Sequence, residues 1–435
     1  MQQRLKYAIP ALLAIAPLAY ANNPPQNPNE ITRTVNSDIV EAGDMLQVLL
    51  PATGLFAAWM HDDAEGAKQL VYATASTQAI VQGLKYTVGR KRPNDSNWHS
   101  FPSGHTSAAF SGAAFLQSRY GAAWGIPAYA GATFVGLSRI HGNRHYMGDV
   151  VAGAGIAFLV NQYFVSPYRT EGVYFNAQPT QDGFAMGVTL TDKAFEDTKR
   201  ERATYQLTSN ERKHRFELGI GANLSDSTGQ AGAKEFLADS ELIDEYQPFS
   251  YINYQYQLAN NNSLEIDFAP SETRRRGQAS KNFTVDGVEY TPADGKLFTA
   301  FRQWSLGATA FKGYKVNDKF DVDFGLGMYV HWISVDVDLN EGGKYSTADS
   351  WRALPNLAAK AQYHITDQFS VKGKAQYQFW DGDNFLSAEA GVNYQINPAW
   401  DVGLNYIFSS TELDNTTFKT DYDAHSIALT FANRF

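Results

Sequence analysis

The sequence predicts two domains of different fold class: an N-terminal all-α helical bundle and a C-terminal transmembrane antiparallel β-barrel of ten strands, or twelve. Three observations carry this. From Ser37 to Pro167 the chain repeats stretches of ten to twenty residues rich in Ala, Gly and Leu, broken by Gly, Pro or polar clusters. From about residue 170 the texture changes to period two, as in Phe320–Trp332, where apolar residues alternate with polar or small ones. The connections in this second half alternate between tight turns and long polar loops, which is the pattern of an outer-membrane barrel.

Residues 1–21 read as a signal peptide. Arg4 and Lys6 precede an apolar run from Tyr7 to Leu18, and Ala19-Tyr20-Ala21 supplies small residues for cleavage. The run is too short for a stable anchor. Residues 22–36 read as a flexible lead-in, with Asn22 to Glu30 rich in Pro and Asn. The chain has no cysteine, which excludes disulfides and thiolate metal sites. A formal net charge of −9 argues against a nucleic-acid partner.

The helical domain is expected over residues 37–168, with helical stretches at Asp38–Met60, Ala64–Val88, Ser103–Tyr120, Ala122–Leu137 and Met147–Val165. Small residues at short intervals let such helices approach closely. Glu41, Asp44, Lys68, Gln69, Gln78 and Gln82 interrupt the apolar runs, which favours a water-soluble bundle over membrane spans.

Within this half, Lys85 to Asp149 holds seven Lys/Arg against two Asp, a net +5 inside an acidic chain. Such a patch needs an anionic partner. Pro93 is expected to stop a helix that carries Lys85 and Arg92 at its end. Phe101-Pro102-Ser103-Gly104-His105-Thr106-Ser107 runs from a turn into a helix start, whose free N–H groups and positive dipole end suit a bound phosphate. Arg139 closes another helix before a turn at Gly142-Asn143. His145 and Asp149 are one helical turn apart, so the carboxylate can hold the imidazole in one tautomer. Each feature has a plainer reading: a basic helix end as a dipole partner, Ser103 as an N-cap, His145 and Asp149 as a surface pair. A metal set of His141, His145 and Asp149 is disfavoured by Arg139 and Arg144 beside it.

Taken together, Lys-x6-Arg-Pro (Lys85 to Pro93), Pro-Ser-Gly-His (Pro102 to His105) and Ser-Arg-x5-His-x3-Asp (Ser138 to Asp149) resemble the three motifs of the type 2 phosphatidic acid phosphatase superfamily, which includes class A acid phosphatases and vanadium haloperoxidases. The resemblance covers about residues 60–165. It implies that His145 attacks phosphorus with Asp149 orienting it, that His105 acts as acid and then base, and that Lys85, Arg92, Ser103, Gly104 and Arg139 bind the phosphate oxygens, with no metal or cofactor. The implied substrate is a phosphorylated lipid or a small phosphomonoester. The rivals are a vanadate-dependent haloperoxidase and a non-enzymatic channel or adhesin with a helical cap.

Residues 169–212 are expected to form a linker, or an extra hairpin over Val173–Leu190, with a charged run from Asp192 to Arg215. Barrel strands are expected near 213–223, 248–258, 263–271, 298–313, 319–335, 352–364, 368–380, 385–396, 399–411 and 425–435. Long loops are expected at Ser225–Gln247, Thr273–Lys296, Asn340–Ser350 and Glu412–Asp423. Ten is even, and both ends fall on the short-turn rim. A β-sandwich is disfavoured because its strands are usually shorter. The terminal alternation of Ile427, Leu429, Phe431 and Phe435 resembles the signal read by the barrel assembly machinery, with Asn433 as a departure. The expected location is the outer membrane, in contact with its lipid, with the helical domain in the periplasm and hung from the inner rim.

Overall fold

The computed structural model describes residues 31–168, 173–180, 183–190, 212–224, 237–243, 247–339, 343–414 and 419–435. The expected signal peptide, most of the lead-in and the charged run 192–211 lie outside them.

Five helices form the first domain: α1 (Asp38–Met60), α2 (Ala64–Val88), α3 (Gly104–Tyr120), α4 (Ala122–His141) and α5 (Met147–Phe164). Asp63 caps α2 by accepting from Gly66 N at 2.9 Å. That helix ends at Gly89, whose φ of +60° is the left-handed conformation that suits glycine. Arg92 therefore sits in the loop after α2, and the stop falls before Pro93. Helix α3 runs through the centre. A Cβ at Gly112 would meet Leu50 C and Pro51 N at 2.5 Å, so only glycine lets α1 pack this closely on α3.

The barrel is closed by ten antiparallel strands: β3 (His214–Asn223), β5 (Pro248–Gln257), β6 (Asn262–Ala279), β9 (Lys296–Asn317), β10 (Phe320–Leu339), β11 (Tyr345–His364), β12 (Phe369–Trp380), β13 (Asp383–Asn397), β14 (Trp400–Asp414) and β15 (Lys419–Arg434). The order around the wall is β6-β5-β3-β15-β14-β13-β12-β11-β10-β9, and β9 pairs back onto β6. The chain re-enters where it leaves: His214 and Phe435 exchange backbone hydrogen bonds of 3.0 and 2.9 Å. The hairpin β1 (Val173–Thr180) and β2 (Gly183–Leu190) forms, but it pairs only with itself, so the count stays at ten. Strand β4 (Leu237–Leu242) extends the far end of β6, and β7 (Phe283–Val285) with β8 (Val288–Tyr290) makes a small hairpin.

The side chains alternate as expected for a barrel in lipid. Phe324, Leu326 and Met328 are exposed outside, while Lys374 pairs with Glu265 at 3.0 Å and with Asp267 at 3.3 Å in the lumen. A soluble sandwich would bury the apolar face. Parts of the expected long loops are strand: β6 runs on to Ala279, β11 begins at Tyr345, β14 runs on to Asp414 and β15 begins at Lys419, while β4, β7 and β8 lie within them. Their polar composition hid the pairing. One far-rim connection is a two-residue turn, Asp381-Gly382, with φ of +50° and +88°.

The helical domain does not hang from the short-turn rim. Helix α5 lies along the outer wall. At the short-turn rim Phe158 stacks near Phe216 and Phe435, with centroids 4.5 and 5.7 Å away, and Tyr163 meets Trp400. Midway, Gly155 faces Leu218. Further up, Met147, Val150 and Val151 pack with Ile252, Phe268 and Trp304. Near the far rim Ser250 Oγ donates to Gly148 O at 2.7 Å, and Arg274 Nη1 donates to Pro93 O at 2.9 Å. Helix α5 is apolar all round because it has the bundle on one side and the barrel on the other.

Candidate active site

The three motifs meet at one end of the bundle. Lys85, in the last turn of α2, is pinned by its Nζ donating to His99 O at 2.8 Å and Pro102 O at 2.6 Å. Those carbonyls hold the ammonium beside the start of α3, where a Cβ on Gly104 would lie 3.7 Å from Lys85 Cε. Ser103 is the N-cap of α3, its Oγ accepting from Thr106 Oγ1 at 2.9 Å. Its backbone N donates to Asp149 O at 2.9 Å, which ties the second motif to the third.

Asp149, in the first turn of α5, is fully buried and heavily engaged. It accepts from Arg90 Nη1 at 3.0 Å, Ser100 Oγ at 2.5 Å and Tyr146 N at 2.9 Å. His145 Nδ1 lies 3.4 Å from Asp149 Oδ2, long for a hydrogen bond but facing it. The ring is 3 % exposed. Burial holds His145 well below the usual imidazole range; Arg92 and Lys85 push the same way, and Asp149 opposes. The ring is therefore neutral, with Nε2 left to act as a base or nucleophile.

Arg92 is half-buried in the loop after α2. Burial lowers it to about 10, with Asp149 opposing and Arg144 and Arg139 adding their repulsion, and it stays cationic at neutral pH. Its Nε has no hydrogen-bond partner among the described residues, nor has Arg144 Nε. Buried donors without partners are costly, and a bound anion would satisfy them.

Arg139 is fully buried near the end of α4. Its Nη2 donates to Val40 O at 2.6 Å and its Nη1 to Asp44 Oδ1 at 2.5 Å. The same Asp44 oxygen lies 3.0 Å from His105 Nε2, and Arg144 Nη1 is 3.9 Å from the other. The His105 side chain is 24 % exposed, so the site opens on this side. All eight residues singled out in the sequence thus lie in one cluster.

Three participants escaped the sequence reading. Asp44 comes from α1, far from any motif, where in the sequence it only interrupts an apolar stretch. Arg90, at an unspecified position inside the first motif, and Ser100, between the first and second, hold Asp149. The usable signal for Asp44 was its place next to Gly43 and Gln47, both buried on one face of α1.

Fold and site together define a helical anion-binding domain, with a histidine–carboxylate pair among buried cations, joined to a closed antiparallel barrel. The PAP2 superfamily profile matches residues 66–170. A lipid A 4'-phosphatase of Helicobacter pylori is 32 % identical over 140 residues, covering 30 % of this chain and 70 % of that protein. A lipid A 1-phosphatase of Porphyromonas gingivalis is 36 % identical over 107 residues, 22 % of this chain and 24 % of that protein, so the chain spans about a quarter of that relative. The crystal structure of Aquifex aeolicus LpxE aligns at 23 % identity, with 31 % of this chain and 88 % of that chain covered and a TM-score of 0.27. The chain belongs to the PAP2 superfamily.

Proposed function

We propose that this protein is a phosphatase that hydrolyses phosphomonoesters through a phosphohistidine, anchored in the outer membrane by its own barrel. The observation that carries the reading is the convergence of Lys85, Arg92, Arg139 and both histidines around partnerless buried cationic donors. Nε2 of His145 attacks phosphorus while His105 gives a proton to the departing ester oxygen. His105 then takes a proton from water, whose oxygen attacks phosphorus, breaks the P–N bond and releases phosphate. Lys85, Arg92, Arg139, Ser103 and the Gly104 amide hold the equatorial oxygens, where charge spreads in the transition state. Fixed cations supply what a metal would otherwise supply, so turnover is expected to persist with chelator present.

A phosphorylated lipid is the favoured substrate, in line with the names of the two relatives. The outward apolar face of the strands supports an outer-membrane location. The test is phosphate release from lipid and soluble phosphomonoesters by the purified chain. Wild type is expected to turn over and His145→Ala to be inactive; equal release by both would refute the reading.

A further inference from the structure

Charge in the helical domain is confined to its two ends. Met45–Met60, Gln69–Leu84, Gly104–Ser118, Ala122–Ser138 and Val150–Phe164 contain no Asp, Glu, Lys or Arg. Each stretch is about 15 residues, or roughly 22 Å of helix, close to the ~25 Å apolar band of an outer-membrane barrel. The outer faces of these stretches are apolar and uncovered: Leu49 and Phe56 on α1, Tyr72 and Ile80 on α2, Ile126 and Phe134 on α4 are all exposed. Among the described helices, hydropathy alone marks only α1 as able to cross a membrane. The other helices score lower because their polar residues point inward: Thr74, Thr77, Ser107 and Ser111 are buried, and Gln78 Nε2 donates to Ser107 Oγ.

This belt is continuous with that of the barrel, because α5 lies on Leu218, Ile252 and Phe268 of the same apolar outer wall. The two ends of the bundle also match the two edges of the wall. The site end meets Ser250 and Arg274 beside Trp304, which forms a row with Trp332 and Trp351 of the kind that marks a bilayer interface. The other end meets Phe216, Phe435 and Trp400 at the rim that carries the first and last residues of the barrel, His214 and Phe435, and the tight turns. Short turns face the periplasm and long connections face outward in such barrels.

We infer that the helical domain sits in the bilayer beside the barrel, its uncovered faces covered by acyl chains. Its phosphate site then lies level with the headgroups of the external leaflet, and it draws a phosphorylated lipid laterally from that leaflet. The substrate assignment rests on the phosphatase reading above; the placement does not.

The absence of cysteine makes the test clean. Three full-length variants, His141→Cys at the site end, Phe134→Cys in the belt and Lys68→Cys at the opposite end, are exposed in intact cells to a membrane-impermeant maleimide, with barrel folding checked by resistance to SDS without heating. The expected result is labelling of His141→Cys in intact cells, at least tenfold more labelling of Lys68→Cys once the outer membrane is permeabilised, and labelling of Phe134→Cys only in detergent. Labelling of all three only after permeabilisation, or of Lys68→Cys alone from outside, would overturn the placement. Labelling needs no turnover, so a protein that shows the expected pattern yet releases no phosphate from lipid or soluble esters would sink the phosphatase reading and leave the placement standing. Release from soluble esters but not from lipid phosphate in the same bilayer would overturn the lateral lipid supply.

Discussion

Replacing Asp149 by Asn keeps the shape of the side chain and removes its charge. The native carboxylate receives Arg90 on one oxygen and Ser100, Tyr146 N and the facing His145 on the other. An amide has only one oxygen to offer. If that oxygen faces Ser100 and Tyr146, the NH2 group opposes Arg90 and a buried pair loses its anion, at a cost of about 3–5 kcal/mol. The Tyr146 ring, 3.7 Å from the guanidinium, favours the lower part of that range. If the amide is reversed, a buried donor is left facing a donor, at roughly 1–3 kcal/mol. Catalysis should suffer more than stability, because His145 Nδ1 loses the acceptor that keeps Nε2 free of a proton. The analogous Asp-to-Asn change in a serine protease triad costs about 10⁴ in kcat through the wrong tautomer. For Asp149→Asn the expected loss is on the order of 10³–10⁴ in kcat, with KM changed little because Lys85, Arg92 and Arg139 remain. Initial rates of phosphate release, normalised to folded protein, measure it. A folded variant with kcat within threefold of wild type would refute the role given to the pair.

Three further outcomes follow from the same geometry. Asp44→Asn removes the counter-charge of the His105 imidazolium, so the alkaline limb of kcat/KM is expected to move to lower pH; an unmoved limb would show that Asp44 does not tune the acid. Burial depresses His145 below its ordinary 6.5, and the neutral ring is the attacking form, so the acid limb that it sets lies below pH 6.5. A pH–rate profile with that limb at or above 6.5 contradicts the assignment. At the far end of the bundle, buried Asp63 accepts from Arg119 Nε and Nη2, each at 2.7 Å, and from Tyr120 Oη at 2.9 Å. Asp63→Ala should cost about 3 kcal/mol or more in thermal unfolding, since it strands a buried guanidinium, while kcat per folded molecule stays unchanged.

The strands were legible because an apolar outer face and a polar, ion-paired lumen impose strict alternation, as in Phe320–Trp332 and Leu386–Ile396. Their upper ends were not, because the outward face turns polar there, with Arg274, Arg302 and Asp336, while the inward Phe301, Ile333, Val335 and Val337 pack in an apolar cluster with the β7–β8 hairpin that local spacing does not place. The site was legible to the extent that its chemistry sits in three short motifs. Asp44 was invisible for the opposite reason: tertiary packing across Gly43 and Gly112, rather than local spacing, delivers it to Arg139. The docking of α5 on the wall was also unreadable, since an apolar helix gives no sign of what covers each of its sides. The expectation of a water-soluble bundle counted polar residues such as Gln78 without their direction, which only the packing supplies.

The most direct test of the account is to quench the purified chain during turnover of a ³²P-labelled phosphomonoester and map the label by mass spectrometry under conditions that preserve P–N bonds. The account predicts phosphate on the ring of His145, absent from His145→Ala and accumulating in His105→Ala when the leaving group is good enough to depart unprotonated. Phosphate on another residue, or full turnover with no covalent species in any variant, would contradict it.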